Sequence, residues 1–247
     1  MPTWPTHLAL ADRLFKTGMT LDPRGFAVGS VGPDCNVENE DWTEFTPSRE
    51  STHCTRGRRK AISDAEEFYR ERVEGKRFSS GEERSFFFGY YAHILVDALY
   101  QDFTHRPEEV EESFGRLDRD PAFRERRGSR PKDFDTLKEL FGPRFTYREI
   151  EHLEGLYLRE HPDSLFLTVL RHVHSFPDYM PEFPSGAFSR KIALMAYLPD
   201  PGAVEEIFWT GEKYSRFLEE AFLLLHRNLH EKGIAFSPHA ESLSQTP

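Results

Sequence analysis

His93 and Asp97 stand four residues apart in GYYAHILVD. On a helix that spacing turns an imidazole and a carboxylate to one face, about one turn apart, where both can reach a single cation. The surrounding stretch, GEERSFFFGYYAHILVDALYQDF, is otherwise apolar around most of its circumference. Burying such groups costs several kcal/mol unless each is paired, hydrogen-bonded or bound to metal. Taken alone, the pair meets that demand equally well by bonding to each other or to a neighbouring cation. Asp34 follows Gly-Pro in FAVGSVGPDCN, His53 follows Thr52 in STHC, and His7 opens the first helical pattern. Singly, Asp34 reads as a turn cap, His53 as a loop residue and His7 as a cap-region side chain. Histidine and aspartate are donor types that suit zinc and also manganese, iron or nickel, so these residues are candidate ligands beside those plainer readings. Just past His53 runs Arg56-Gly57-Arg58-Arg59-Lys60, the densest positive charge near these residues. Arginine suits bidentate phosphate contacts, which makes Arg56, Arg58 and Arg59 candidate substrate contacts; the run reads equally as an exposed basic loop balancing nearby acids.

The elements that must position these groups are helical. Apolar spacing predicts a first helix over residues 5–15, and the Gly-, Pro- and Asn-rich segment 20–59 reads mostly as loop around a buried turn at 26–31. A helix over 63–74 is expected to start from a Ser63 cap with Glu66 completing a capping box. The central helix opens at Ser80 or Gly81 and runs to Phe103. Residues 104–135 are strongly charged and read as a solvated excursion with one short helix near 108–117. Helical patterns return over 135–141, 147–160, 164–175, 188–197 and 202–232. No segment alternates as a sustained strand does, so the expected fold class is all-α, an irregular multi-helix bundle. The expected organisation is a single domain over 1–235, with a metal-ligand half at 1–103, the excursion at 104–135, a helical remainder at 136–235 and a tail at 236–247.

Four short stretches in order carry a resemblance: WPTHLALAD, Phe-x-x-Gly-x-x-x-Pro-Asp (FAVGSVGPD), Thr-His (STHC) and Gly-Tyr-x-x-His-x-x-x-Asp (GYYAHILVD). Together they resemble the zinc-dependent phospholipase C family, distantly related to the fungal-type single-strand nucleases, over roughly residues 1–103. The resemblance implies that Asp34, His53, His93 and Asp97 enclose one zinc, with Asp97 shared toward a second ion that His7 also holds. The chain departs from the family pattern in two respects. Trp4 is internal, so the free-amine ligation of a processed N-terminal Trp is not expected. Beyond Asp97 only His105 is near, and no His-x-x-x-Glu pair follows, so a third metal is not expected.

The chain has 247 residues, 38% of them hydrophobic, with a net charge of -10. Such a composition supports a folded core and argues against a disordered chain, a general nucleic-acid coat or a basic membrane-surface protein. No stretch is long and apolar enough for a membrane span, and the N-terminus lacks a signal pattern, which points to a cytoplasmic protein. Cys35 and Cys54, each one residue past a candidate ligand, read as small buried thiols rather than ligands. His172 with His174, His226 with His230, His152 and His161 offer no ligand set that spacing identifies.

These readings converge on a metal-dependent phosphoric ester hydrolase, a phospholipase C-like phosphodiesterase with one or two zinc ions. A bound ion lowers the pKa of water toward about 7, and the activated water attacks phosphorus in line, oriented by Asp34. The partner is then a small-molecule or lipid phosphate ester; phospholipid, nucleotide and small phosphoester stay open, as does oligomeric state. The alternative is a non-catalytic helical binding or scaffold protein with a structural metal site.

Overall fold

In the computed structural model, which describes residues 2–55, 57–199 and 202–236, the chain is an all-α, multi-helix protein. In chain order the helices are α1 (Trp4–Lys16), α2 (Pro23–Gly29), α3 (Arg49–Thr52), α4 (Ile62–Arg72), α5 (Gly81–Phe103) and α6 (Pro107–Leu117). They continue with α7 (Pro121–Arg127), α8 (Phe134–Phe141), α9 (Phe145–Glu160), α10 (Leu165–Thr168), α11 (Ala187–Met195) and α12 (Gly211–Glu231). A 3-10 turn covers Gly32–Asp34, and β1 (Val37–Glu38) pairs antiparallel with β2 (Phe45–Thr46). No described helix is long and apolar enough to cross a membrane.

α5 is the axis of the fold. Ser80 caps it by accepting from the Glu83 N–H at 3.0 Å, and Glu82 and Glu83 favour its first turn electrostatically. Every residue from Ser85 to Tyr100 is buried, as α2, α4, α12 and the Gly32–Asp34 turn pack around it. A fully buried Phe or Leu contributes about 1.5–3 kcal/mol through water release, so this helix anchors the core. α2 crosses α5 at backbone contact. A Cβ on Gly29 would lie 2.0 Å from the Phe86 carbonyl oxygen, one on Gly25 2.3 Å from that of Glu82, and one on Gly89 2.2 Å from that of Phe26. Glycine is required at this crossing because nothing larger fits between two main chains.

Several elements differ from the sequence expectation for physical reasons. The 20–59 segment holds α2, which is too short and glycine-rich to show a period; Asp22 caps it by accepting from the Gly25 N–H at 2.7 Å. α4 begins at Ile62, not at a Ser63 cap, because the Asp64 carboxylate turns back to accept from the Ala61 N–H at 2.8 Å. The charged excursion carries α6 and α7, whose Val110, Phe114 and Phe123 are buried, so it belongs to the packed body. Residues 164–175 form only α10 and a 3-10 turn at Leu170–His172. α12 starts at Gly211, after a non-helical stretch in which Ile207, Phe208 and Trp209 give their N–H groups to the Glu149 carboxylate. Apart from Phe236, the expected tail lies outside the described residues.

Candidate metal centre

Four elements deliver the candidate donors. His7 lies on α1, Asp34 closes the 3-10 turn after α2, His53 caps the C-terminus of α3, and His93 and Asp97 share one face of α5. α1 is fastened at its N-terminus by Glu154 of α9, which accepts from the Thr6 N–H at 2.9 Å and from the hydroxyls of Thr3 and Thr6. The glycine crossing of α2 on α5 brings the Ser30 carbonyl to His93 and Asp34 to the same side. Tyr90, one turn before His93, donates its hydroxyl to the Thr52 carbonyl at 2.8 Å and so holds the segment that ends in His53.

The donor atoms converge. The His53 Nε2 lies 3.5 Å from Asp34 Oδ1 and 3.4 Å from Asp97 Oδ2. The His93 Nε2 lies 3.5 Å from Asp97 Oδ2 and 4.0 Å from Asp34 Oδ2, and the His7 Nε2 lies 3.7 Å from Asp97 Oδ1. Ligands at zinc distances of about 2.0–2.1 Å in a tetrahedral shell stand about 3.3 Å apart; two overlapping sets, His7 with His93 and Asp97 and Asp34 with His53 and His93, have donor atoms all within 4.8 Å of one another, a span close to what one ion needs. The His7 and His93 rings stack with centroids 4.0 Å apart.

The hydrogen bonds leave the inward-facing nitrogens without partners. His93 Nδ1 meets the Ser30 carbonyl at 2.8 Å and His53 Nδ1 meets the Arg49 carbonyl at 3.0 Å. A carbonyl only accepts, so each Nδ1 carries the proton and each Nε2 keeps its lone pair toward the centre, as metal-bound histidines do. His7 Nε2, His53 Nε2, His93 Nε2 and Asp97 Oδ1 are buried with no hydrogen-bond partner. Orphaned polar atoms are costly wherever they occur, and here three such imidazole nitrogens lie 3.4–3.7 Å from the Asp97 carboxylate, an arrangement that bound cations would satisfy.

Burial pushes the Asp97 carboxyl up, but the Lys60 and His93 charges outweigh it and hold Asp97 well below the carboxylate range. Burial likewise opposes the Asp34 charge, yet the neighbouring His53 and His93 leave Asp34 lowered. His7 is lowered by burial and by its stacked neighbour His93. For His93 burial is overcome by Asp97, and its pKa is raised. Asp34 is the accessible member: its side chain is 21% exposed, against 1–3% for His7, His53, His93 and Asp97. The Trp4 indole N–H steadies it, donating to Asp34 Oδ2 at 3.2 Å.

All five expected donors thus come together, and the basic run does so only in part. Arg56 lies outside the described residues. Arg58 turns to Asp64, 3.1 Å away, and to the Thr55 carbonyl. Arg59 and Lys60 line a cavity of about 800 Å³, with Leu99, His105, Leu223 and Arg227, that none of the five candidate donors lines. Lys60 reaches furthest, donating to the Asp97 carboxylate. Spacing singled out neither Lys60, one cation among several, nor Trp4 and Glu154, whose partners are remote in sequence. Tyr90 and Tyr91, on the same helix as His93, are core residues, while Trp42 is exposed. His172, His174 and His230 are exposed; His105 and His161 bond back to the Gln101 and Tyr157 carbonyls, and His226 packs on Phe236. Both cysteines are free thiols; Cys35 is buried and Cys54 partly so. The chain matches no protein-family model, no curated protein and no solved structure.

Proposed function

We propose that the protein is a metal-dependent phosphoric ester hydrolase, a phospholipase C-like phosphodiesterase. Asp34, His53, His93 and Asp97 would hold one divalent ion, zinc by the nature of the donors, with His7 stacked behind His93 on the Asp97 side. The observation that carries this reading is the gathering of three buried, partnerless imidazole nitrogens, His7 Nε2, His53 Nε2 and His93 Nε2, around the Asp97 carboxylate. When bound, the ion supplies a Lewis acid that polarises a phosphoryl oxygen and makes a water nucleophile available near neutral pH.

The chain's own residues divide the remaining work. Asp34, the donor that solvent reaches, orients the attacking water and accepts its proton, while the Trp4 N–H holds one of its two oxygens in place. Ser30 and Arg49 carbonyls fix the two imidazoles in the ligand tautomer. Arg59 and Lys60, on a chain of net charge -10, put positive charge where an anionic ester approaches. The free cysteines suit a reducing compartment, which supports a cytoplasmic setting.

The test is turnover of bis(4-nitrophenyl) phosphate by the zinc-loaded full chain and by Asp34→Asn. The reading expects turnover that a chelator abolishes and zinc restores, and a loss of at least 100-fold in the variant, in line with about 10²–10⁴-fold for general-base catalysis. Metal binding with no turnover of this or of lipid and nucleotide diesters would favour the scaffold with a structural metal.

A further inference from the structure

The C-terminal part of α5 and the middle of α12 wall the cavity of about 800 Å³ that the candidate donors do not line. Ala98, Asp102 and His105 recur at helical spacing along α5, as Glu220, Leu224 and Arg227 do along α12, so one face of each helix is turned to it. The segment 59–62 supplies a further wall. Ala98, Leu99 and Leu224 give the cavity a buried apolar lining, while Ile62 and Leu223 stand 47% and 51% exposed beside them. Large apolar side chains left open to water at a concave apolar surface gain by being covered.

Charge selects what covers them. Of the cavity's basic side chains, Arg106 is held between the Asp102 and Glu220 carboxylates, and Lys60 donates to Asp97. Arg59 and Arg227 are exposed and form no ion pair among the described residues. Two uncommitted guanidinium groups, planar forks that match a carboxylate, therefore border an apolar hollow. We propose that this cavity binds a medium-chain alkyl carboxylate, its head group on Arg59 and Arg227 and its chain along Ala98, Leu99, Leu223 and Leu224. The volume lies within the range of about 300–1,000 Å³ usual for small-molecule sites. A neutral chain would leave the two arginines without a counter-charge, and a short acid would leave the apolar lining uncovered. The site is separate from the metal centre, and the proposal does not depend on a metal being bound there.

The experiment is isothermal titration calorimetry of the full chain with decanoate, octanoate and decanol, each kept below the concentration at which it aggregates. The expected result is one saturable decanoate site per chain, with octanoate weaker by about 4-fold for each methylene removed. Decanol should bind at least about 10-fold more weakly than decanoate, because it lacks the charge-assisted bonds. Arg59→Gln and Arg227→Gln should each weaken decanoate by about 10-fold and leave decanol unchanged, whereas Leu223→Asn should weaken both ligands. All three substituted residues are exposed, so these variants keep the fold. The proposal is overturned by the absence of saturable decanoate binding or by decanol binding as tightly as decanoate. Decanoate affinity unchanged in the arginine variants or in Leu223→Asn would overturn it equally.

Discussion

Replacing Gly29 by alanine puts a methyl carbon 2.0 Å from the Phe86 carbonyl oxygen, where ordinary contact begins at 3.4 Å. The obstacle is main chain in the buried stretch of α5, so it cannot swing aside as a side chain would. α2 and α5 must separate by up to 3.4 − 2.0 = 1.4 Å at the crossing. Overpacking of this kind costs about 1–3 kcal/mol, and the upper end applies because backbone has to move. Alanine's better helix propensity returns about 1 kcal/mol. The net loss of about 2 kcal/mol lowers the melting temperature by about 4–8 °C for a chain of this size. The same separation draws the Ser30 carbonyl away from His93 Nδ1, now 2.8 Å apart. Losing such an outer-shell partner weakens metal binding by about 10–100-fold. Thermal unfolding by circular dichroism and a competitive zinc titration read the two effects separately. A Gly29→Ala protein as stable as wild type, with unchanged zinc affinity, would refute the claim that this crossing builds the site.

Tyr90→Phe removes the hydroxyl that donates to the Thr52 carbonyl; denaturant melts should show a loss of about 1–3 kcal/mol, and wild-type stability would contradict the role given to that bond. Burial pushes the Glu154 carboxyl up to about 7, against the pull of its Thr3 and Thr6 hydrogen bonds. A carboxyl raised in the folded state contributes stability that is complete below its ordinary value of 4.5 and is lost as pH rises through about 7. Stability measured across that window should therefore fall less steeply with pH in Glu154→Gln than in the wild type, and parallel profiles would show that Glu154 does not titrate there.

The parts of the fold that were legible in the sequence are those that local periodicity controls. α5 and its Ser80 cap, and the His93 and Asp97 pair on one helix face, follow from spacing within a single element. The convergence of His7, Asp34 and His53 on that pair does not, because it depends on how α1, α2 and α3 dock; only the order of four short stretches pointed to it. The glycines in two of those stretches, Gly29 and Gly89, turn out to serve the helix crossing rather than a turn. α2 was hidden because packing on α5, not propensity, makes it helical. Glu154 was invisible for a plainer reason: its partner Thr6 is 148 positions away, and no local pattern marks such a bond. Lys60 was obscured by its neighbours, since a run of basic residues does not say which one turns inward.

Elemental analysis of the full chain, purified with neither added metal nor chelator, tests the centre most directly when set beside His93→Ala and Asp97→Asn. The account predicts about one equivalent of a divalent transition metal, with zinc the expected ion, retained by the wild type and lost from both variants, since each removes a donor from a four-ligand shell. A metal-free wild type, or variants that keep the same ion in the same amount, would contradict it.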